Sequence, residues 1–310
     1  MTETIVQAKE VSKWYGDVIG LNGFSLDVPR GITGIVGPNG AGKSTFFKLV
    51  AGTIRPSAGD IRVLGEGPWQ NPALLGRIGF SPDYDFLPAD LSGREYLRLG
   101  GGLHGMRGAV LAQRIGEVLG TVHMERDADR KLGGYSKGMR QRIKIAGALL
   151  HDPQVLFLDE PFSGTDPVVK RDLMDLTKGL NQEHGHDIIV SSHVLHEVER
   201  LTYSIALLYK GRAVATGDIS EIRGLMNAHP HHIVIEGTRM QELAKELIGM
   251  DFTVSVELRE DRKGITAMVS KPDAFFDSLP TMLERSGSEL ERMESTDDDL
   301  ESVFRYLVRW

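Results

Sequence analysis

Gly37-Pro38-Asn39-Gly40-Ala41-Gly42-Lys43-Ser44 has the spacing G-x-x-x-x-G-K-[ST] and stands between an apolar run, residues 32–36, and a stretch of helical character, residues 45–51. Those residue types suit a phosphate chain. Glycines let backbone amides curl around the phosphates, Lys43 reaches the β- and γ-phosphates, and the Ser44 hydroxyl ligates Mg²⁺. The helix beginning near Lys43 adds its positive end to that anion site. A nucleoside triphosphate is the implied ligand. A second constellation is Val155-Leu156-Phe157-Leu158-Asp159-Glu160, four apolar residues ending in two adjacent carboxylates. Ligands of open α/β sheets sit at the carboxyl ends of the strands, so Asp159 can hold Mg²⁺ through water while Glu160 takes a proton from the attacking water. Hydrolysis is therefore expected, beyond binding. His193, in Ser191-Ser192-His193, ends another apolar run, residues 188–190, where an imidazole can contact a γ-phosphate and sense its loss.

The elements that must position these groups are short strand-type runs alternating with longer stretches of helical period, which predicts an α/β fold with a largely parallel sheet. Tyr209-Lys210-Gly211-Arg212 reads as a hairpin turn closing this domain at the sheet edge, followed by a short helix over residues 218–226. Residues 227–232 are polar and broken by Pro230, which marks a linker between domains at 1–226 and 227–310. Beyond it the order is strand (233–236), helix (240–249), strand (252–258), strand (265–269), helix (273–286) and strand (290–293). That is the β-α-β-β-α-β order of a small ferredoxin-like α+β domain. A last helix over residues 297–308 would open on Asp297, Asp298 and Asp299 and pack a face of Leu300, Val303, Phe304 and Leu307.

Composition narrows the classes. The 310 residues carry a net charge of −7, 41% apolar and 25% charged residues, ordinary values for a soluble globular protein. No cysteine is present, which excludes disulfides and thiolate zinc sites. Up to Ile219 there are 25 basic and 25 acidic residues, and after it 11 and 18, so neither part is the basic surface of a nucleic-acid binder. The N-terminal residues lack an apolar core of signal-peptide length, and nowhere do about 18 apolar residues run together, so the chain is not expected to cross a membrane unaided.

From about residue 5 to residue 226 the sequence resembles the ATP-binding subunit of an ABC transporter, with six elements in the family's order. Tyr15 matches the aromatic that stacks on adenine. Gly37, Pro38, Asn39, Gly40, Ala41, Gly42, Lys43, Ser44 and Thr45 match the Walker A loop, and Asp159 and Glu160 match Walker B and its catalytic glutamate. Ser163-Gly164-Thr165-Asp166 looks like the D-loop, and His193 like the switch histidine. Tyr135-Ser136-Lys137-Gly138-Met139 stands at the signature position, where Ser136 is a good N-cap for a helix over residues 137–150 and the Gly138 amide suits a phosphate. The resemblance implies a P-loop NTPase fold with a helical subdomain, ATP and Mg²⁺ as ligands, and a head-to-tail dimer with ATP between signature and Walker A of different subunits. A homodimer is expected, since every motif that two equal sites need is in this chain; a heterodimer is the alternative. The resemblance further implies a separate multi-spanning membrane subunit, peripheral attachment at the cytoplasmic face of the cell membrane, and no nucleic-acid partner.

Departures from the pattern carry information. Lys137 and Met139 replace Gly and Gln of the signature, and Asp83 stands where the Q-loop has Gln. A carboxylate there adds like-charge repulsion to Asp159 and Glu160 unless a metal is bound, so Asp83 is a third candidate metal contact beside Ser44 and Asp159. The Tyr-Ser-Lys-Gly-Met signature and the closing Asp298-Asp299-Leu300-Glu301-Ser302-Val303-Phe304 are similar to the ABC-2 type exporter branch. In that family the region of Tyr84, Phe86 and Leu87 forms the groove for the membrane subunit; packing beneath their own loop is the other reading. His229, His231 and His232 have metal-ligand chemistry for Zn²⁺ or Cu²⁺, but a solvated connector explains them as well. Arg140, Arg142 and Lys144 read as a solvated or acid-paired helix face. A soluble ABC-type ATPase acting on ribosomes or nucleic acid, and a P-loop kinase, are the rival functions.

Overall fold

Strands covered on both faces read as unbroken apolar runs, and such runs lie side by side in the first part of the chain. The computed structural model describes residues 4–84, 86–218, 230–259 and 263–295, in two units, Met1–Gly217 and Asp218–Trp310. In chain order the first part holds β1 (Thr4–Tyr15), β2 (Val18–Pro29), β3 (Ile32–Val36), α1 (Lys43–Val50), β4 (Ala58–Val63), α2 (Pro72–Leu75) and β5 (Ile78–Ser81). It continues with α3 (Gly93–Leu103), α4 (Gly108–Thr121), α5 (Lys137–Leu149), β6 (Val155–Leu158), α6 (Pro167–Gln182), β7 (Asp187–Ser192), α7 (Leu195–Glu199), β8 (Ser204–Tyr209) and β9 (Arg212–Asp218). The second part holds β10 (His231–Gly237), α8 (Met240–Ile248), β11 (Thr253–Leu258), β12 (Gly264–Val269), α9 (Pro272–Ser286) and β13 (Leu290–Ser295).

The six-stranded sheet has the order β5-β6-β7-β3-β8-β9 and is parallel from β5 to β8. Alternation along its strands divides the core. Val155, Phe157 and Ile189 join Phe24, Phe46 and Phe47 on one face, where the four phenylalanine rings follow one another in tilted and edge-to-face contacts with centroids 5.3, 5.9 and 6.1 Å apart. Leu156, Leu158, Ile188 and Val190 face the other way, into a core built from the long helices α3 to α6. The expected edge hairpin is present: β8 and β9 are neighbours, and Lys210 and Gly211 between them both have positive φ, as a two-residue type I′ turn requires.

A three-stranded antiparallel sheet, β2-β1-β4, is the element that the sequence reading lacked. Register shifts interrupt β1 at several points, with Glu10 at φ 49°, so the period-two alternation that would have revealed it is broken.

The second unit forms the order β11-β12-β10-β13, antiparallel throughout, which is the ferredoxin-like order. Its core joins Ile233, Ile235, Leu243, Leu247, Ile265, Ala267 and Phe275. His231 and His232, read as connector, instead open β10, opposite Val269 and Met268. Consecutive strand residues point to opposite faces, so these two imidazoles do not share a metal. Asp218, expected to open a helix, instead ends β9; residues 219–226 of that expected helix, His229 and the closing helix with its Leu-Glu-x-Val-Phe motif lie outside the described residues.

Candidate nucleotide-binding site

The loop between β3 and α1 turns through Gly40 and Gly42, at φ 80° and 109°. At Gly42 the conformation and the space both require glycine, because a Cβ would lie 2.6 Å from the Gly20 carbonyl. Lys43, at the start of α1, is buried, and its ammonium donates to the carbonyl oxygens of Gly37 (2.6 Å) and Pro38 (3.3 Å). It also pairs with Glu160 Oε1 at 3.2 Å. A buried ammonium that shares its donors between loop carbonyls and one carboxylate is ready to exchange them for phosphate oxygens.

Asp159 and Glu160 follow β6 directly and are both buried. Ser191, in the neighbouring β7, bridges them: its hydroxyl donates to Asp159 Oδ1 (2.6 Å) and accepts from the Glu160 amide (2.8 Å). Burial pushes the Asp159 carboxyl above its ordinary range; hydrogen bonds from Ser191 and Ser44 oppose that shift, and the charges of Asp83 and Glu160 add to it. Glu160 has φ 49°, an uncommon conformation for a side-chain-bearing residue. Its Oε2 lies 2.8 Å from His193 Nδ1, so one carboxylate touches both Lys43 and the histidine after β7.

A cavity of about 550 Å³ opens over these groups, lined by Tyr15, the loop from Asn39 to Thr45, Asp83, Glu160, Ser163 and His193. Tyr15 ends β1, half exposed, a flat wall at one side of the cavity with Lys13 Nζ 5.5 Å from its ring. Ser44, Asp83 and Asp159 offer only oxygen donors, and the charge gathered around the buried Asp159 is what a hard divalent cation relieves, so the residues present fit Mg²⁺. Gly37 and Pro38 meet this site through their carbonyls.

Ser136 and Gly138 are not among the residues that line this cavity. Ser136 caps α5 by accepting from the Met139 amide (3.3 Å), and Gly138 is buried where a Cβ would lie 2.3 Å from Val169 Cγ1.

Three features escaped the sequence reading. Ser191, beside His193, was given no role. Glu197 is buried and accepts from the Ser192 hydroxyl (2.6 Å) and the Lys170 ammonium (2.5 Å), which bolts the turn carrying His193 to α6. Of the α5 cations, Arg142 is acid-paired, meeting Asp172 at 3.5 Å, and also donates to the Val122 carbonyl, as Arg140 does to that of Tyr135; Lys144 is neither solvated nor acid-paired in this way, being buried and donating to the Pro82 carbonyl at 2.8 Å. Of the groove candidates, all three line a second cavity of about 410 Å³ with Leu99 and Leu103; Tyr84 and Phe86 are exposed, and Leu87 also packs against the helical core.

Residues 21–163 match the family described as ABC transporter. A bacitracin transport ATP-binding protein of Enterococcus faecalis is 28% identical over 309 residues, covering 99% of this chain and 97% of its own length. A Nod factor export ATP-binding protein I of Cupriavidus metallidurans is 34% identical over 220 residues, 70% of this chain and 72% of that one. Among solved structures, a dimeric ATP-binding cassette in a post-hydrolysis state with ADP and Pi has a TM-score of 0.63 at 26% identity, over 69% of this chain and 98% of that one. With a phosphate-binding loop, paired carboxylates and a histidine converging on one cavity, and relatives of that identity and extent, the chain belongs to the ATP-binding, ATP-hydrolysing subunits of ABC transporters.

Proposed function

We propose that this subunit drives an ABC exporter: two copies close around two ATP molecules, and closure and reopening work a separate membrane-spanning subunit. The observation that carries the catalytic part is Glu160, held between Lys43 and His193 at the rim of one cavity. In this reading Glu160 takes the proton of the attacking water and His193 contacts the γ-phosphate. Lys43 and the amides of Gly40, Ala41, Gly42, Ser44 and Thr45 hold the phosphate chain, and Tyr15 stacks on the adenine. Ser44, Asp159 and Asp83 hold Mg²⁺, which when bound offsets phosphate charge. Ser136 and Gly138 face the ATP of the second copy, in keeping with their absence from the cavity of their own chain.

The groove beside Tyr84 and Phe86 is the seat for the membrane subunit. No helix among the described residues is long and apolar enough to cross a membrane, which fits peripheral attachment at the cytoplasmic face. Export as the direction is supported by the name of the Nod factor relative and by the Tyr-Ser-Lys-Gly-Met signature. The domain proposed for residues 227–310 is read as an accessory domain that regulates or braces the dimer, and the match to the bacitracin transport relative extends over it.

The test is purification of the tagged protein from detergent-solubilised host membranes, with mass spectrometry of what accompanies it. A multi-spanning protein that co-purifies and stimulates ATP hydrolysis is expected. Ribosomal or DNA-associated partners, with the chain remaining in the soluble fraction, would replace this reading by a soluble ABC-type ATPase.

A further inference from the structure

Lys144 lies on the inner face of α5, 5% exposed, with its ammonium under the loop that follows β5. It donates to the carbonyl oxygens of Pro82 (2.8 Å) and Asp83 (3.4 Å). A buried ammonium is costly unless its donors are satisfied, so loop carbonyls that converge on one hold the loop in place. Asp83 on that loop lines the nucleotide cavity, and its charge is among those that raise the proton affinity of Asp159. Lys144 also lines the groove beside Tyr84 and Phe86, so the clamp stands between the two cavities.

We propose that Lys144 is a positioning residue for the nucleotide site: by holding the Pro82 and Asp83 carbonyls it keeps the Asp83 carboxylate close to Asp159, and so sets how strongly triphosphate binding depends on Mg²⁺. The proposal rests on the reading of Asp83 as part of the nucleotide site. With the clamp closed, Asp83 adds negative charge where the phosphates arrive, and a cation turns that repulsion into an extra oxygen contact. With the clamp broken, Asp83 is released from this position and the contrast between metal-bound and metal-free affinity shrinks.

The experiment measures the affinity of a fluorescent ATP analogue, with and without Mg²⁺, and hydrogen exchange at the amides of residues 81 and 83–87, in the full chain. In Lys144→Met the ratio of the two affinities should fall by roughly three- to tenfold, the range expected when one partly screened like charge moves away. Exchange in the loop should quicken in the same variant. In the Asp83→Gln background, Lys144→Met should leave the ratio where Asp83→Gln alone puts it. An unchanged ratio despite faster exchange would overturn the proposal, because Lys144 would then brace the loop and nothing more. An equal fall in both backgrounds would also overturn it. Should Lys144→Met not accumulate as folded protein, Lys144→Arg shifts the donor instead, and a wild-type ratio there would sink the idea. A wild-type chain that binds no analogue would refute the nucleotide-site reading itself, which is a different result.

Discussion

Glu160 and His193 meet through a single 2.8 Å contact, Oε2 to Nδ1, although 33 residues separate them in the chain. The contact joins the ends of two neighbouring parallel strands, β6 and β7, and leaves Oε1 to Lys43. A carboxylate held by a histidine on one side and an ammonium on the other is oriented before any water arrives. Glu160→Gln keeps the shape and loses the proposed base. ATP should still bind, hydrolysis should drop by a factor on the order of a hundred to ten thousand, and the closed dimer should accumulate with ATP. Phosphate release and size-exclusion chromatography check the two halves, and a fully active monomer would contradict them.

Asp159 holds its proton more tightly in the folded chain than a solvated carboxyl does, chiefly because it is buried. The sign follows from linkage. Its contribution to stability is fully present below the ordinary carboxylate range and is lost as pH rises through the raised folded value. Asp159→Asn removes the buried charge, so at neutral pH and without nucleotide the melting temperature should rise, by about 2–4 °C for each kcal/mol recovered. Stability should also decline less steeply with pH across the weakly acidic range. Thermal melts at several pH values, in metal-free buffer, decide it. A lower melting temperature at every pH would show that the lost Ser191 and Ser44 hydrogen bonds outweigh the burial term.

Glu197 ties Ser192, next to His193, to Lys170 on α6. Glu197→Gln weakens a buried, charge-assisted contact and leaves Lys170 without its carboxylate, a loss of about 1–3 kcal/mol. Hydrolysis should slow through kcat with little change in KM, because the affected turn carries His193 and none of the phosphate loop. Steady-state kinetics beside chemical denaturation would show it; a change confined to KM would not fit.

Phe86 is 86% exposed at the mouth of the second cavity. Charging it as Phe86→Glu removes apolar surface from the proposed membrane-subunit seat without touching the helical core. Co-purification of the membrane subunit should be lost while the isolated chain hydrolyses ATP at its basal rate. Loss of both together would place Phe86 in the core of the domain's function.

The phosphate loop was legible because it is local: eight consecutive residues between a strand and a helix dictate their own backbone path, with glycines at the positive-φ positions. The carboxylates at the end of β6 and the ferredoxin-like order were legible for related reasons, an apolar run of strand length ending in charge and a period that switches between two and 3.6. The antiparallel sheet was hidden by the register shifts of β1, which break the alternation by which a strand is recognised. Among the α5 cations, Arg142 has the expected acidic partner in Asp172, but the burial of Lys144 was missed, because helical spacing tells which side chains share a face and does not tell what packs against it. Lys144 finds its carbonyls 62 and 61 residues away, and Glu197 finds its ammonium 27 residues away. Sequence alone determined the chemistry this protein carries, since those groups are set in short contiguous motifs; which groups brace and tune that chemistry was decided only by tertiary packing, because burial turns a distant carbonyl or hydroxyl into an obligatory partner.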